Sequence, residues 1–239
     1  MKSALKRKIE DKKCMRVNKL LSNKGICSRT KAHEMIIAGR IKVNGLPCIP
    51  GQWVEEEDRI EIDGRPLRER DKVYILLNKP IGITCTAAEE VKDNIIQYMN
   101  YPEYIFPVGR LDKASQGLIL MTNDGELANH ILNAEHEHEK EYLVTVHKSF
   151  DDIFLKEMSE GVQLGSVKTR PCKLTRVSED TFKIILTQGL NKQIRKMCLI
   201  FGYKVTRLER IRLLSLRIDG LPYGKWRRLT EEEIGALRR

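Results

Sequence analysis

Val17, Leu20 and Leu21 fall at i, i+3 and i+4, a spacing that lines one face of a helix, and Gly25 then stops it. Ser28 is placed to cap a second helix that carries Ala32, Met35 and Ile36 on one side and ends near Gly39. From Arg40 to Val43 the pattern alternates as a strand does and turns at Asn44-Gly45, a hairpin signal; residues 58–64 hold a second alternating strand. Residues 64–72 are charged, contain Gly and Pro and lack periodicity, so they read as a linker. The run 73–79 is apolar, of strand length, and ends against Pro80, which predicts a buried strand. A short helix fits residues 93–101. Beyond it come a strand at 118–122, a turn at 123–125, a helix at 126–132 and strands at 140–146 and 182–187. A helix with Ile194, Met197, Cys198 and Phe201 on its buried side follows, then a basic strand-like stretch at 204–218, and Thr230 to Glu233 reads as a capping box for a last helix. Short strands without strict βα alternation predict an α+β fold with a mixed, mostly antiparallel sheet.

Charge sharpens this picture. The net charge of +10 is carried at two places: residues 1–42 hold 13 Lys/Arg against three acids, and residues 190–228 hold 11 against Glu209 and Asp219, while residues 43–189 are acidic. Two basic regions of this kind suit two contact surfaces for one polyanion rather than a merely soluble basic protein. Residues 1–14, Lys-rich with only Leu5 and Ile9 as apolar anchors, read as a flexible basic arm. With 239 residues and 41% apolar content there is material for a small domain and a larger one. No window is apolar enough for a membrane span and the basic N-terminus lacks a signal-peptide core, so a cytoplasmic location and no membrane partner are expected. Six dispersed cysteines, with no C-x-x-C pair, read as reduced thiols. His136 and His138 alternate with glutamates, more in the manner of a solvated charged run than of metal ligands, so no metal site is expected.

The candidate chemistry centres on Gly109-Arg110-Leu111-Asp112-Lys113-Ala114-Ser115-Gln116-Gly117-Leu118. Alone, an aspartate in a Gly-flanked turn is a turn former. This string, however, resembles the signature G-R-L-D-x-x-[ST]-x-G-L of the RsuA-like family of bacterial ribosomal-RNA pseudouridine synthases. Leu77-Asn78-Lys79-Pro80-Ile81-Gly82, Lys140-Glu141-Tyr142 and Gln193-Ile194-Arg195-Lys196-Met197 resemble that family's other landmarks, in its order. Residues 16–45, from Arg16-Val17-Asn18-Lys19-Leu20-Leu21 to Val43-Asn44-Gly45, resemble the S4 RNA-binding domain. The resemblance implies a small N-terminal S4-like αβ domain at 15–63, a linker at 64–72 and a pseudouridine synthase domain at 73–239.

It also implies roles. Turning uridine into pseudouridine breaks the C1′–N1 bond and makes a C1′–C5 bond with no redox change, so no cofactor is expected; a nucleophile must hold the intermediate while the base turns. The family assigns that to Asp112, by attack on the sugar or by assisting elimination to a glycal. Arg195 matches the arginine that pairs with the aspartate and would oppose the rise in its pKa on desolvation. Tyr142 matches a tyrosine that lies against the uracil ring and has been implicated as a base. Arg110 suits the space vacated by a flipped nucleotide or a flanking phosphate, and Lys79 belongs to a motif that is structural in the family. Lys192 and Lys196, with Arg16, Lys19, Arg29, Lys31, Arg40 and Lys42 on the S4-like part, are the expected RNA contacts.

The strings Gln188-Gly189-Leu190-Asn191, His138 to Tyr142 and Arg207-Leu208-Glu209-Arg210 look most like the RluF branch, which acts on large-subunit ribosomal RNA. Members of that branch often carry a basic C-terminal extension; this sequence closes at Arg239, and the N-terminal arm is expected to substitute for it only in part. The expected partner is thus 23S ribosomal RNA or a pre-ribosomal large-subunit particle, with a transfer-RNA anticodon-loop uridine or a silent RNA-binding role as alternatives. The protein itself is expected to be a monomer.

Overall fold

The structure is a computed structural model and describes residues 14–55, 57–88, 90–133 and 137–239. The basic arm, apart from Cys14, and His136 lie outside the described residues. The chain divides into two compact units: one holds the chain through Val73 with Pro102–Ile105 and Asn123–Glu126, the other Tyr74–Tyr101, Phe106–Thr122 and Leu127–Arg239. The expectation of an uninterrupted second domain from residue 73 therefore misses two short excursions into the first unit.

In the first unit β1 (Met15–Arg16) leads into α1 (Val17–Asn23), which buries Val17, Leu20 and Leu21. Gly25 ends it with φ +70°, and a Cβ there would lie 2.8 Å from Cβ of Asn123, so only glycine fits. Ser28 Oγ accepts from the Lys31 amide at 3.1 Å and caps α2 (Arg29–Ile37), whose Ala32, Met35 and Ile36 are buried. Strands β2 (Ile41–Val43) and β3 (Leu46–Pro47) join through Asn44 and Gly45, both at positive φ, as a tight hairpin of the right twist requires. After β4 (Trp53–Val54), which pairs with β1, β5 (Ile60–Ile62) pairs with β2. The stretch read as a linker starts with β6 (Arg65–Pro66), paired to β5, and its end is held: Asn123 Nδ2 donates to Asp71 O and Asn123 Oδ1 accepts from the Val73 amide. A two-residue strand is too short to show alternation, which is why sequence periodicity misses it.

The second unit is built on β7 (Tyr74–Lys79) and β9 (Gln116–Thr122), every residue of which is buried. Continuous apolar runs of this kind mark central strands covered on both faces. Between them lie α3 (Ile95–Met99) and β8 (Phe106–Val108). Then follow α4 (Gly125–Leu132), β10 (Lys140–Val146), α5 (Asp152–Ser159), the hairpin β11 (Gln163–Leu164) and β12 (Val167–Lys168), β13 (Lys173–Arg176), β14 (Thr181–Leu186), α6 (Gln193–Ile200), β15 (Val205–Leu213), β16 (Leu216–Arg217), β17 (Trp226–Arg228) and α7 (Glu231–Leu237).

The main sheet runs β13-β14-β10-β15-β9-β7-β17, with β16 on β15 and β8 on β9. Its pairings are antiparallel except β15 with β9, so the mixed, mostly antiparallel α+β sheet expected from sequence is the one observed. One core packs α4 and α7 on β7 and β9 through Leu76, Leu120, Ile131 and Leu237; another packs α5 and α6 on β10 and β14 through Val144, Phe154, Phe182 and Met197. Among the described residues no helix is long and apolar enough to cross a membrane.

Candidate active site

The loop before β9 is shaped by its ends. Gly109 has φ +78° and Gly117 φ +104°. At Gly117 a Cβ would come within 2.6 Å of the backbone nitrogen of Arg210, because β15 runs parallel to β9 in a register that sets Arg210 against Gly117. A residue without a side chain lets the two backbones meet, and the meeting brings the loop, β15 and β10 together.

Asp112 stands at the crest of this loop, half-buried, with its carbonyl accepting from the Ser115 amide at 2.9 Å. The loop is tied down at three points, two on residues 82–85 and one on α6. The Leu111 amide donates to Cys85 Sγ at 3.4 Å, the Gly82 amide donates to Lys113 O at 2.8 Å, and Arg195 Nη2 donates to Ala114 O at 2.9 Å and Ser115 Oγ at 3.3 Å. The segment that carries Gly82 and Cys85 is held by Lys79, which is fully buried and donates from Nζ to the carbonyls of Pro80 and Ile83, each at 2.8 Å. Burial pushes the Lys79 ammonium below its ordinary pKa; Cys85 and Asp112 pull it back up, and Arg210 pushes it further down.

Arg195 differs from expectation. Its guanidinium forms no ion pair with Asp112; it spans from the loop to Val205 O at 3.2 Å, so the backbone carbonyls on either side take donors from Nη1 and Nη2, while Nε is buried without a partner among the described residues. It does not line the cleft. Its place on α6 makes it a clamp on the turn that carries Asp112.

The cleft itself has a volume of about 1040 Å³, at the upper end for small-ligand pockets and ample for one nucleotide. Among its described lining residues Asp112 is the sole carboxylate, against six cations: Arg110, Lys113, Lys140, Arg170, Lys192 and Arg210. Tyr142, half-buried, forms part of the wall. Arg110, Lys113 and Lys192 are exposed at the cleft; Lys192, at φ +51°, is also the N-cap residue of α6. Lys196 is exposed and lies outside the lining. Sequence reasoning missed Lys140 and Arg210. Lys140 sits beside Tyr142 in a quoted motif, and its pKa is lowered by burial and then by Arg210. Arg210 gains meaning only through its register against Gly117.

In the first unit the six predicted RNA contacts are at or near the surface, but not all carry a free charge. Arg40 forms a bidentate pair with Asp63 at 2.8 and 2.6 Å, and Lys31 pairs with Glu34 at 3.1 Å. Arg16 lies over the Trp53 ring, 5.9 Å from its centroid. Lys19, Arg29 and Lys42 have no acidic partner among the described residues.

Comparison with known proteins bears on this arrangement. The family model described as RNA pseudouridylate synthase matches residues 73–199, and the S4 domain model matches residues 15–60. A dual-specificity RNA pseudouridine synthase RluF of Salmonella typhi is 46% identical over 222 residues, 92% of this chain and 77% of that protein. Its counterpart in Escherichia coli K12 is 44% identical over 223 residues with the same coverage. A ribosomal large subunit pseudouridine synthase B of Bacillus subtilis is 34% identical across 93% of this chain and 95% of its own. A crystal structure of a pseudouridylate synthase superposes with a TM-score of 0.69 at 28% identity, covering 93% of this chain and 99% of that one. The sequence motifs, the sheet and these relatives agree: the chain belongs to the RsuA-like family of RNA pseudouridine synthases, with an S4 domain ahead of the synthase domain.

Proposed function

We propose that this enzyme isomerises a specific uridine of large-subunit (23S) ribosomal RNA through Asp112. The observation that carries the reading is the position of Asp112 as the one carboxylate among the described residues of a cationic cleft that Tyr142 also lines, on a turn clamped by Cys85, Gly82 and Arg195. A nucleophile that must wait for a base to rotate needs a fixed position, and ties to two segments, residues 82–85 and α6, supply it. The target nucleotide leaves its stack at a cost of a few kcal/mol. Tyr142 takes the ring face, a contact worth roughly 1–3 kcal/mol. Asp112 then takes up C1′ directly or assists elimination to the glycal, and the C1′–C5 bond forms.

Arg195 acts here as a positioning residue, through the carbonyl of Ala114 and the hydroxyl of Ser115. Arg110, exposed next to Asp112, fills the space left by the flipped base or holds the neighbouring phosphate. On the S4 unit Lys19, Arg29 and Lys42 offer charge directly to RNA phosphates, with Arg16 beside them. Arg40 and Lys31 must first exchange their carboxylate partners, so they add less. Large-subunit ribosomal RNA is supported by the Bacillus relative's name. The dual specificity in the names of the Salmonella and Escherichia relatives favours a second substrate, for which a transfer-RNA anticodon-loop uridine is the reading.

Carbodiimide mapping of pseudouridine in large-subunit RNA and total transfer RNA, from cells with the gene, without it and with Asp112→Asn, tests this. A uridine whose signal disappears in both the deletion and the mutant names the substrate. Signals unchanged in every strain would reduce the protein to an RNA-binding role.

A further inference from the structure

Arg210 is 2% exposed and lines the cleft, yet among the described residues its side chain makes one hydrogen bond, from Nε to Leu118 O at 2.6 Å. Its Nη2 is buried without a partner, and among the described residues no carboxylate stands within ion-pair distance. A guanidinium cannot shed its proton to relieve burial. The two nearby lysines respond instead: both Lys79 and Lys140 have pKa values lowered by burial first and by Arg210 in addition. An uncompensated buried cation is costly to a fold, and this one lines the cleft.

We propose that Arg210 is a catalytic residue whose Nη edge receives the negative charge that develops on the uracil ring as the C1′–N1 bond breaks. The inference rests on the reading of the cleft as the isomerisation site. Its place points to the base rather than to a phosphate. Arg210 is the direct cross-strand partner of Tyr142 in the β10–β15 pairing, and such partners project on the same face about 5 Å apart. It therefore sits at the ring-stacking end, deep in the cleft, whereas the exposed Arg110, Lys113 and Lys192 suit the hydrated phosphates.

The step balances without a proton from Arg210. When C1′–N1 breaks, the electron pair goes to N1 and spreads over O2 and O4. C1′ is taken up by the Asp112 carboxylate and released when C5 bonds, or Asp112 takes the C2′ proton to give the glycal and returns it to C2′ as C5 bonds to C1′. C5 of the turned base then bonds to C1′; C5 loses its proton and N1 gains one, both through solvent. A fixed cation at the carbonyl oxygens acts only while the ring is an anion, the condition under which preorganised charge lowers a barrier.

Single-turnover measurements on an RNA with uridine at the target position, and on the same RNA with 5-fluorouridine there, test the proposal with Arg210→Gln and Arg210→Lys. Fluorine makes the base a better leaving group that depends less on the cation. For Arg210→Gln on uridine RNA the rate at saturating RNA should fall about 10²-fold, less for Arg210→Lys, with the RNA Kd unchanged to within about twofold. The deficit should shrink on the 5-fluorouridine RNA, read as nucleoside products by mass spectrometry. Should Arg210→Gln fail to fold, Arg210→Lys alone gives the same comparison. A loss that appears in Kd with the saturated rate intact would make Arg210 a phosphate anchor and overturn the proposal. So would an equal loss on both bases, or no loss. Activity of Asp112→Asn on either RNA would instead overturn the underlying reading of the cleft.

Discussion

Gly117 shows how one residue sets the site. Its φ of +104° and the Arg210 backbone nitrogen 2.6 Å from where a Cβ would lie leave no room for alanine. Gly117→Ala must force β9 and β15 apart or strain the backbone by about 1–3 kcal/mol, and should lower the melting midpoint and abolish turnover together, measured by thermal unfolding and product formation. A variant that is active and as stable as the parent would show that the two strands can separate freely. Burial pushes the thiol of Cys198 up to about 12 and that of Cys172 up to about 11. Raised values in the folded state mean that these protonated thiols stabilise the fold fully below about pH 9, and that this stability is lost as pH climbs toward 11 and 12. Urea unfolding of the parent should therefore weaken more steeply from pH 8 to pH 10.5 than that of Cys198→Ala; identical pH slopes would contradict the burial of that thiol. Asp112 and Tyr142 were legible as candidates because their motifs are contiguous strings. The absence of an Arg195–Asp112 ion pair and the burial of Arg210 were not, because both depend on how α6 and β15 pack against a loop distant in sequence.

At the level of elements, local chemistry was read well where it is short-range. The Ser28 cap and the Asn44-Gly45 turn appear as expected, and Thr230 forms a full capping box: its hydroxyl accepts from the Glu233 amide at 3.2 Å while the Glu233 carboxylate accepts from the Thr230 amide at 2.9 Å. Thr230→Ala should cost about 1 kcal/mol, a fall of about 2–4 °C in melting midpoint, with Thr230→Ser close to the parent in a calorimetric scan. No shift for Thr230→Ala would mean that α7 is held by Ile234 and Leu237 alone. Other elements escaped. The hairpin β11–β12 has two residues per strand and β13 is largely exposed, so neither has an apolar rhythm to read. Helix α5 did carry a signal, since Asp151 Oδ1 accepts from the Phe154 amide at 2.9 Å and Phe154 and Met158 are one turn apart on the buried side, but with only two buried anchors it did not stand out among charged neighbours.

For the whole molecule, charge governs how RNA is gathered and the cleft governs what happens to it. Arg29 and Lys42 are exposed and without acidic partners among the described residues, so Arg29→Ala and Lys42→Ala should each reduce the slope of log K for RNA against log salt by about 0.7–0.9, with the saturated rate unchanged. An unaltered slope in titrations from low to high salt would remove that residue from the RNA contact. The two-unit organisation was legible from the S4-like string and the aperiodic charged stretch at 64–72; the transfer of Pro102–Ile105 and Asn123–Glu126 to the first unit was not, because tertiary contact alone assigns such short pieces. The central claim is that Asp112 makes the cleft an isomerising site. Its most direct test is release of tritium from RNA labelled at uracil C5, comparing the parent with Asp112→Asn at equal RNA occupancy. The account predicts release by the parent and a loss of at least about 10⁴-fold in the variant, with melting midpoint and RNA affinity retained. Release by a folded Asp112→Asn at a rate within about tenfold of the parent would contradict it.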